Sequence, residues 1–500
     1  MTDKIIFWMN GFFLNFAIAE SLKKKYDCDI YALIDITNRT KQFFIDQNLV
    51  NFKKIWFLHD HIQENNQIDL DYLQKFEKKY SIDLWQLGFN ERIFYQHNDF
   101  YKFSQNEILS ILEKECKLYE SILDEVKPDA IIIHETALHQ EHLFYQLCRQ
   151  RGIKILMLNQ SKIAYKCTIS EELNKLDGMP KLSNIESKGR NFEELRNFLT
   201  KDNAKQLKNY QKDFGGNKST KLKAASEYFI KSDNSNIKTH FSYYGRNKLK
   251  VLIKYSQLIL KTRMRKSFID KNLEYEIYPN EKFILFTLHQ EPERVLLIGA
   301  PFYTNQLEII RQIAKSLPIG FKLYVKEHFS QELREWRKIS YYKEILEIPN
   351  VRLYHPTSNI KKLIEKSSLV ISISGTIGLE AAFFQKPSIV MADLGYTILP
   401  SVQKLNSIED LPNMIKNALD MKVEVDDLDR YITILDEHSF DFDLKGYEMK
   451  EANFLRYGGS FHDTIITNEK MKKFLDETES IVNPLVDEYI KKLEKIKLCI

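Results

Sequence analysis

The chain has 500 residues, of which 43% are hydrophobic and 12% aromatic. This is enough for large packed cores, and length alone predicts about three domains. The formal net charge of +4 is too small to indicate a nucleic-acid-binding protein. The five cysteines are scattered, odd in number and without a C-x-x-C pair. They argue against a disulfide framework or a zinc site and favour a reducing cytoplasm.

The N-terminal region alternates strand-like and helix-like segments. The apolar start, Ile5–Ala19, is interrupted by polar residues and has only Lys4 before it, so we expect a first strand, a turn and a helix, not a signal peptide. No apolar run approaches the ~18 residues of a membrane span. The predicted strands are Lys4–Met9, Asp29–Ile34, Lys54–Leu58, Ala130–His134 and Lys154–Leu158. The predicted helices between them include Phe16–Lys25, Glu107–Val126 and Leu138–Arg151. This alternation predicts a Rossmann-like domain over 1–200.

The middle of the chain, 201–275, has a different composition. Between Lys201 and Lys266 it carries 17 Lys and Arg residues against four acids. One interpretation is a basic helical segment that links two domains. The other is a basic surface for an anionic glycan or the inner face of the cell membrane.

The alternation returns over 276–440 and predicts a second doubly wound domain. The predicted strands are Phe283–Leu288, Lys322–Lys326, Val351–Tyr354, Leu369–Ser374 and Ser388–Met391. The predicted helices are Asn305–Ser316, Gln331–Leu346, Asn359–Lys366 and one from Thr376. In 441–500 we expect helices at Glu469–Thr478 and Asn483–Leu498 that pack back towards the N-terminal domain. The predicted fold class is therefore α/β, with two Rossmann-like doubly wound domains facing a central cleft, which is the GT-B architecture.

The stretch Leu369–Ala382 predicts a buried strand, a tight turn and the start of a helix. Such a turn offers backbone N–H groups to a phosphate. The hydroxyls of Ser374 and Thr376 lie beside it, and Gly375 lets the backbone approach closely. Glu380, one turn into the helix, can accept both hydroxyls of a ribose. Alternatively, Glu380 only complements the helix dipole.

Two further strand ends carry polar side chains where open α/β sheets bind ligands. After the strand Lys322–Lys326, both Lys326 and His328 can donate to a phosphate. After Phe283–Leu288 come His289 and a loop with Glu291 and Glu293. Taken singly, each segment is also explained as an exposed polar strand end.

The order of these segments resembles the C-terminal domain of bacterial capsule-polysaccharide biosynthesis proteins, the group that includes the Kdo transferases. The matching segments are Leu288–Glu293, Asn305-Gln306, Val325–His328, Ser374–Ala381 and Gln385–Pro387. The chain departs from the family pattern at Phe329, where the family has proline, and at Gln385, where it has glycine. The N-terminal half resembles the family only in its general pattern, at Asn90–Arg92 and Pro128–Ile131.

The resemblance implies a metal-independent glycosyltransferase whose donor is a CMP-activated ulosonic acid, most often CMP-Kdo. The acceptor is then a capsule or other surface glycan or its lipid anchor. Within the donor site, His328 would contact the phosphate. The implied donor site as a whole comprises His289, Glu293, Lys326, His328, Ser374, Gly375, Thr376 and Glu380. No cofactor is implied, since helix dipole and basic side chains stabilise the leaving phosphate.

The acceptor side of such an enzyme is the N-terminal domain. Glu135, at the end of a predicted strand, is our first candidate for the catalytic carboxylate, and His134 is the second. Alternatively, Glu135 and His134 are only polar residues at the start of a helix. The other acceptor-side candidates are Asn10 and Gly11, which follow the first strand, and the pair Glu91 and Arg92, whose guanidinium suits a sugar carboxylate. The run His139–His142 does not have the zincin order, so no metal is predicted.

Three alternatives share this pattern. A UDP-sugar transferase or epimerase, or a CDP-glycerol-type transferase, would use the same two-domain cleft with another donor. A non-catalytic glycan-binding or assembly protein would keep the fold without turnover. The expected location is the cytoplasm, with or without peripheral attachment to the inner face of the cell membrane.

Overall fold

Two β-sheets, each the centre of an α/β domain, organise the chain. The computed structural model describes residues 2–36, 38–62, 67–163, 165–199, 223, 226, 228–230, 240–334, 336–459 and 463–498. Much of the predicted basic segment, including 200–222 and 231–239, lies outside the described residues.

The first sheet has the strand order β13-β6-β5-β4-β1-β2-β3. Its strands are β1 (Asp3–Met9), β2 (Cys28–Ile34), β3 (Lys54–Phe57), β4 (Ala130–His134), β5 (Lys154–Gln160), β6 (Lys166–Ser170) and β13 (Phe440–Asp441). The five from β5 to β3 are parallel, while β6 and β13 are antiparallel additions. Ile5, Ile6 and Phe7 are fully buried, because helices cover both faces of this sheet.

The helices of the N-terminal domain are α1 (Leu14–Lys25), α2 (Asn38–Asp46), α3 (Leu70–Tyr80), α4 (Leu84–Asn90), α5 (Gln105–Val126) and α6 (His139–Gln150). Helix α7 (Phe192–Arg196) packs instead on the second domain, where Leu195 is buried in the core and Arg196 donates to the Phe383 carbonyl. A capping box begins α5: Ser104 accepts from the Glu107 N–H, and Glu107 accepts from the Ser104 N–H. The predicted helices agree with α1, α5 and α6 to within two residues at each end. The antiparallel strand β6 was not predicted.

The second sheet has the order β12-β11-β10-β7-β8-β9 and is parallel throughout. Its strands are β7 (Lys282–Thr287), β8 (Phe321–Lys326), β9 (Val351–Tyr354), β10 (Leu369–Ser372), β11 (Ser388–Val390) and β12 (Val402–Lys404). The linking and covering helices are α8 (Lys248–Asn272), α9 (Arg294–Leu297), α10 (Gln306–Ser316), α11 (Ile339–Leu346), α12 (Ile360–Lys366), α13 (Ile377–Phe383), α14 (Leu411–Leu419) and α15 (Val425–Glu437). The predicted pair of Rossmann-like domains is confirmed.

The predicted helix Gln331–Leu346 is wrong in its first half. A 3₁₀ turn, Gln331–Arg334, precedes α11, and Trp336 between them has a φ of +58°. A helix cannot pass through that left-handed residue. The break directs Arg337 into the core, where it meets Glu327.

The C-terminal helices α16 (Leu444–Leu455) and α17 (Asn468–Leu498) pack on the N-terminal domain, with α17 against α1. The prediction of two helices in this last segment is wrong, since α17 is continuous and includes Pro484. A proline removes one hydrogen bond from a helix. Burial of Val482, Leu485 and Val486 beside it holds the helix together.

The strand orders place a topological switch point in each sheet. In the first sheet β1 lies between β4 and β2, and in the second β7 lies between β10 and β8. Chain connections leave such a point in opposite directions, which opens a crevice at the carboxyl ends of the two central strands. The loops after β1, β4, β7 and β10 therefore define where a ligand site is expected. Among the described residues, no helix is both long enough and apolar enough to cross a membrane.

Candidate functional site

The loops after β7 and β10 are joined directly. Nε2 of His289 accepts a hydrogen bond from the backbone N–H of Ser374 at 2.8 Å. The turn after Ser374 needs a left-handed residue, and Gly375 supplies it with a φ of +87°. Thus two of the three predicted strand ends form one unit at the switch point.

A buried glutamine holds His289 in place. Oε1 of Gln306 accepts from the His289 N–H at 2.7 Å, and its Nε2 donates back to the His289 carbonyl at 3.1 Å. Burial, with the nearby His328 and Arg337, lowers the pKa of His289 to about 3. His289 is therefore neutral at physiological pH, with its Nε2 lone pair directed at the turn.

The third strand end joins the same cluster through a serine. The Ser330 hydroxyl lies 2.7 Å from Nδ1 of His328 and 2.7 Å from Oε1 of Gln290. Burial, together with Lys326 and Arg337, lowers the pKa of His328 to about 3. Its Nε2 makes no hydrogen bond with the described residues and remains available to a ligand.

A fully buried ion pair between Glu327 and Arg337 connects the loops at this edge of the sheet. The Glu327 carboxylate accepts from Nε of Arg337 at 2.9 Å and from the Tyr342 hydroxyl at 2.7 Å. Arg337 also lies 2.7 Å from Glu291 and donates to the carbonyl of His289. One guanidinium thus ties the loop after β7 to the loop after β8.

Lys326 lies on the β9 side of this cluster. Its Nζ donates to the Pro356 carbonyl at 2.9 Å and to the Glu327 carbonyl at 3.3 Å, away from β10. Burial lowers the pKa of this ammonium to about 8. Glu293 precedes α9, and its carbonyl accepts from Leu296. The ion pair with Arg337 is made by Glu291, two residues before Glu293.

The hydroxyls of the phosphate-type turn are engaged within it. Ser372 donates to the Ser374 carbonyl at 2.5 Å, and Thr376 donates to Oε1 of Glu380 at 2.6 Å. Burial raises the pKa of Glu380. The Tyr396 hydroxyl donates to the Gly375 carbonyl at 2.6 Å and fixes the other side of the turn.

On the N-terminal side, Asn10 and Gly11 lie after β1 and have buried partners. Asn10 donates to Oε1 of Glu141 at 3.1 Å, and the Trp8 indole donates to the same oxygen. A Cβ on Gly11 would lie 3.8 Å from the guanidinium of Arg456. Asn10 and Gly11 are therefore held by contacts with α6 and with the residue that follows α16.

Glu135 is the predicted carboxylate that faces the other domain. Nε of Arg294, from the second domain, lies 3.4 Å from Oε1 of Glu135 and donates to the carbonyl of Thr136. The Glu135 side chain is 49% exposed, so it can be reached by an acceptor. His134 is less accessible: its ring packs at a tilt against Phe12, with ring centroids 5.0 Å apart, and burial lowers its pKa to about 4.

Three further charged groups that were not among the predicted site residues interact with Glu135: Arg294, Lys162 and Glu448. Burial lowers the pKa of Lys162 while Glu135 opposes that shift. Burial raises the pKa of Glu448 to about 7, with Glu135 adding to the shift. Lys162 could have been predicted as a site residue, because it follows the strand β5. No feature of the local sequence identifies Glu448, which lies on α16.

Glu91 and Arg92 have roles in the packing of the N-terminal domain. Glu91 is 4% exposed and lies 2.9 Å from Nδ1 of His139, whose Nε2 lies 3.2 Å from Glu115. The two carboxylates outweigh the effect of burial and raise the pKa of His139 to about 10. Arg92 donates to the Ala137 carbonyl at 2.7 Å. A sugar-binding role for Glu91 does not fit this burial.

A small pocket lies between the two domains. Its lining residues are Gln86, Leu87, Asn90, Glu91, Arg92, Ala137, His139, His142, Leu297 and Ile298. The Asn90 side chain donates to the Pro301 carbonyl at 3.4 Å across the domain boundary. This hydrogen bond holds the two domains close together beside the pocket.

One group among the described residues has the spacing of metal ligands: Asp35, His59 and His240, with candidate atoms within 4.8 Å of one another. The two imidazoles are stacked with ring centroids 3.6 Å apart. Nδ1 of His240 accepts from the Ser242 N–H at 3.1 Å. Stacked rings direct their lone pairs in parallel, which is poor geometry for a shared ion.

The two domains and their facing carboxyl edges define the GT-B class of fold. Residues 192–399 match the family described as "Capsule polysaccharide biosynthesis protein", and this range contains all three strand-end segments. The resemblance drawn from the sequence is confirmed over this part of the chain.

None of the curated protein sequences matches this chain. Among solved structures, similarity extends to a UDP-GlcNAc 2-epimerase from Methanocaldococcus jannaschii, with 13% identity, a TM-score of 0.26, and coverage of 87% of this chain and 100% of that one. It also extends to the N-terminal domain of Candida albicans trehalose-6-phosphate phosphatase, with 12% identity, a TM-score of 0.29, and coverage of 95% and 97%. For the Thermosulfurimonas dismutans KpsC, beta Kdo 2,7 transferase, the identity is 10%, the TM-score 0.28, and the coverage 60% and 80%. Scores this low have no bearing on the substrate.

Proposed function

We propose that this protein is a glycosyltransferase that moves Kdo or a related ulosonic acid from a CMP-activated donor to a capsule or other surface-glycan acceptor. The donor binds at the carboxyl edge of the second sheet, and the acceptor binds against the N-terminal domain. The reaction takes place in the cytoplasm, at the inner face of the cell membrane, and needs no metal ion.

The observation that carries the proposal is the convergence of three sequence segments on one hydrogen-bonded cluster. His289 binds the backbone of Ser374, and His328 is joined to the loop after β7 through Ser330. A purely structural strand end does not require such links between three separate loops. All three lie in the region that matches the capsule family.

The chemistry assigned to the site is a displacement at the anomeric carbon. The acceptor hydroxyl loses its proton to a carboxylate of the Glu135 and Glu448 pair, and its oxygen bonds to the anomeric carbon. The bond from that carbon to the phosphate oxygen breaks, and CMP leaves with the electron pair. Backbone N–H groups of the Gly375 turn and Nε2 of His328 stabilise the phosphate charge.

The test is release of CMP from CMP-Kdo by the purified protein, with and without a Kdo-accepting glycolipid. We expect acceptor-dependent release that survives EDTA and falls at least about 100-fold in Glu135→Gln, the usual scale for loss of a general base. Glu186→Gln, at an exposed position, is the matched control. Release that is equal in Glu135→Gln and wild type would contradict the catalytic assignment.

A further inference from the structure

Helix α8, Lys248–Asn272, has an apolar face that no described element covers. Seven of its large apolar side chains are exposed: Leu249, Leu252, Ile253, Tyr255, Ile259, Leu260 and Met264. The exposed fractions of Leu249, Met264 and Tyr255 are 68%, 65% and 62%. Large apolar groups are rarely exposed together in this number without a partner.

These side chains lie on one half of the helix, with polar side chains among them. At 100° per residue, Leu249, Ile253, Leu260 and Met264 lie within an arc of about 60°, and Leu252, Tyr255 and Ile259 lie within a second arc of about 60°. Arg263 and Ser256 lie between the two arcs. The opposite side of the helix, with Val251 and Leu258, is partly buried. The exposed apolar face therefore runs along most of the helix.

The same helix is strongly cationic. From Lys248 to Ile269 it contains seven Lys and Arg residues and no acid. Four of these basic residues have protein partners: Lys248, Lys254, Arg265 and Lys266. Lys250, Lys261 and Arg263 make no ion pair with the described residues, and all three are exposed.

The body of the protein holds α8 in place. The Asn247 side chain caps its start by accepting from the Lys250 N–H at 2.7 Å. Near its end Ile269 is fully buried, and Arg265 donates to the Trp336 carbonyl at 3.0 Å. The apolar face is thus presented on a preformed helix, without an ordering cost on binding.

We infer that α8 is a membrane-docking helix that lies in the interface of an anionic lipid bilayer. Exposed apolar side chains with unpaired cations beside them (Lys250, Lys261) and among them (Arg263) are complementary to the acyl chains and the anionic headgroups of a bilayer. A protein partner would not require every unpaired charge of the helix to be positive, and a second copy of this same basic helix would be repelled. The inference gives the proposed membrane attachment a specific surface, while binding itself does not depend on the proposed reaction.

Sedimentation with vesicles tests the inference. We expect the wild type to bind vesicles of phosphatidylcholine with one-third phosphatidylglycerol, and to bind pure phosphatidylcholine at least about tenfold more weakly. The variant Leu249→Ser/Ile253→Ser/Leu260→Ser/Met264→Ser should lose at least about tenfold in affinity for the anionic vesicles. The triple variant Lys250→Gln/Lys261→Gln/Arg263→Gln should lose a similar factor and most of the salt dependence.

Two matched controls accompany these variants. Ile319→Ser removes a fully exposed apolar residue elsewhere, and Lys472→Gln/Lys473→Gln removes exposed charge from α17. Both should bind like the wild type. Circular dichroism and thermal melting identify any variant that is misfolded.

The inference is overturned if the α8 variants bind anionic vesicles as well as the wild type. It is also overturned if ultracentrifugation shows a dimer that the apolar variant dissociates, because the face then belongs to a second copy. CMP binding by the same samples separates the two proposals. Vesicle binding without CMP binding refutes the proposed function alone, and the reverse refutes the docking helix alone.

Discussion

Nε2 of His289 and the backbone N–H of Ser374 are joined at 2.8 Å, across the two strands that flank the switch point of the second sheet. The bond positions the turn that contains Gly375, and burial lowers the pKa of the imidazole so that it stays neutral. A ligand phosphate bound by this turn would therefore depend on His289 without having to touch it. His289 is a positioning residue for the donor site.

Replacing His289 by alanine should weaken CMP binding about tenfold and lower the free energy of unfolding by about 1–3 kcal/mol, because the buried Ser374 N–H is left unpaired. Calorimetric titration and urea unfolding measure the two effects. His289→Gln, which keeps an acceptor atom, should recover part of the affinity. His438→Ala, at an exposed histidine, is the control, and equal CMP affinity in His289→Ala and wild type would refute the positioning role.

Arg294 connects the two halves of the site, since it reaches from the second domain to Glu135 and the Thr136 carbonyl. Arg294→Ala should lower kcat at least about tenfold, because the carboxylate loses its orientation. The Kd for CMP should change less than about twofold. Arg311→Ala removes an exposed arginine that pairs with Glu344 in the same domain, and it should leave both values unchanged. A selective loss of CMP affinity in Arg294→Ala would contradict this division of roles.

Glu448 should impose a pH dependence on the reaction. Its pKa is raised to about 7, first by burial, so the carboxylate able to take a proton forms only as pH rises through 7. We expect kcat/KM to rise from pH 6 to 8 and the rise to be absent in Glu448→Gln, but present in Glu437→Gln.

The contribution of Glu448 to the free energy of unfolding should fall as pH rises, whereas kcat/KM should rise. A carboxyl group whose pKa is raised in the folded state stabilises the protein fully below its unfolded pKa, and this contribution is lost as pH rises towards 7. The free energy of unfolding of Glu448→Gln, measured relative to that of the wild type, should therefore be higher at pH 8 than at pH 5. A difference in unfolding free energy that does not change with pH would show that Glu448 titrates normally.

The buried pair Glu327 and Arg337 should matter mainly for stability. Arg337→Ala leaves the fully buried Glu327 carboxylate uncompensated, and we expect a loss of about 3–5 kcal/mol in unfolding free energy. Arg352→Ala removes a more exposed pair with Glu281 and should cost less than about 1 kcal/mol. Comparable losses in the two variants would contradict the assigned framework role.

The regular elements and the donor-side cluster were predictable because they rest on local patterns. Apolar strands followed by polar residues identify a carboxyl edge, so His289, His328 and Ser374 could be found before their contacts were known. Lys326 belonged to the same pattern, yet its side chain turns towards Pro356. The direction in which a side chain points at the end of a strand depends on residues that are distant in the sequence. The local pattern therefore does not predict it.

The acceptor side was less predictable for the same reason. Glu135 lies at a strand end and could be selected, whereas Glu448, whose pKa Glu135 helps to raise, lies on a helix more than 300 residues later. Glu91 was a candidate for the acceptor side, but its ion pair with His139 lies in the core. Local signals also missed the break at Trp336 and the continuity of α17 through Pro484, because packing decides both.

The most direct test of the donor site is a calorimetric titration of the wild type and His328→Ala with CMP, UMP and UDP. We predict one CMP site per chain, weaker binding of UMP and UDP, and CMP affinity reduced about tenfold or more in His328→Ala, which loses a charge-assisted contact to the phosphate. His438→Ala should bind CMP like the wild type. No CMP binding at millimolar concentration, together with saturable binding of UDP, would contradict the assignment of a CMP-activated donor.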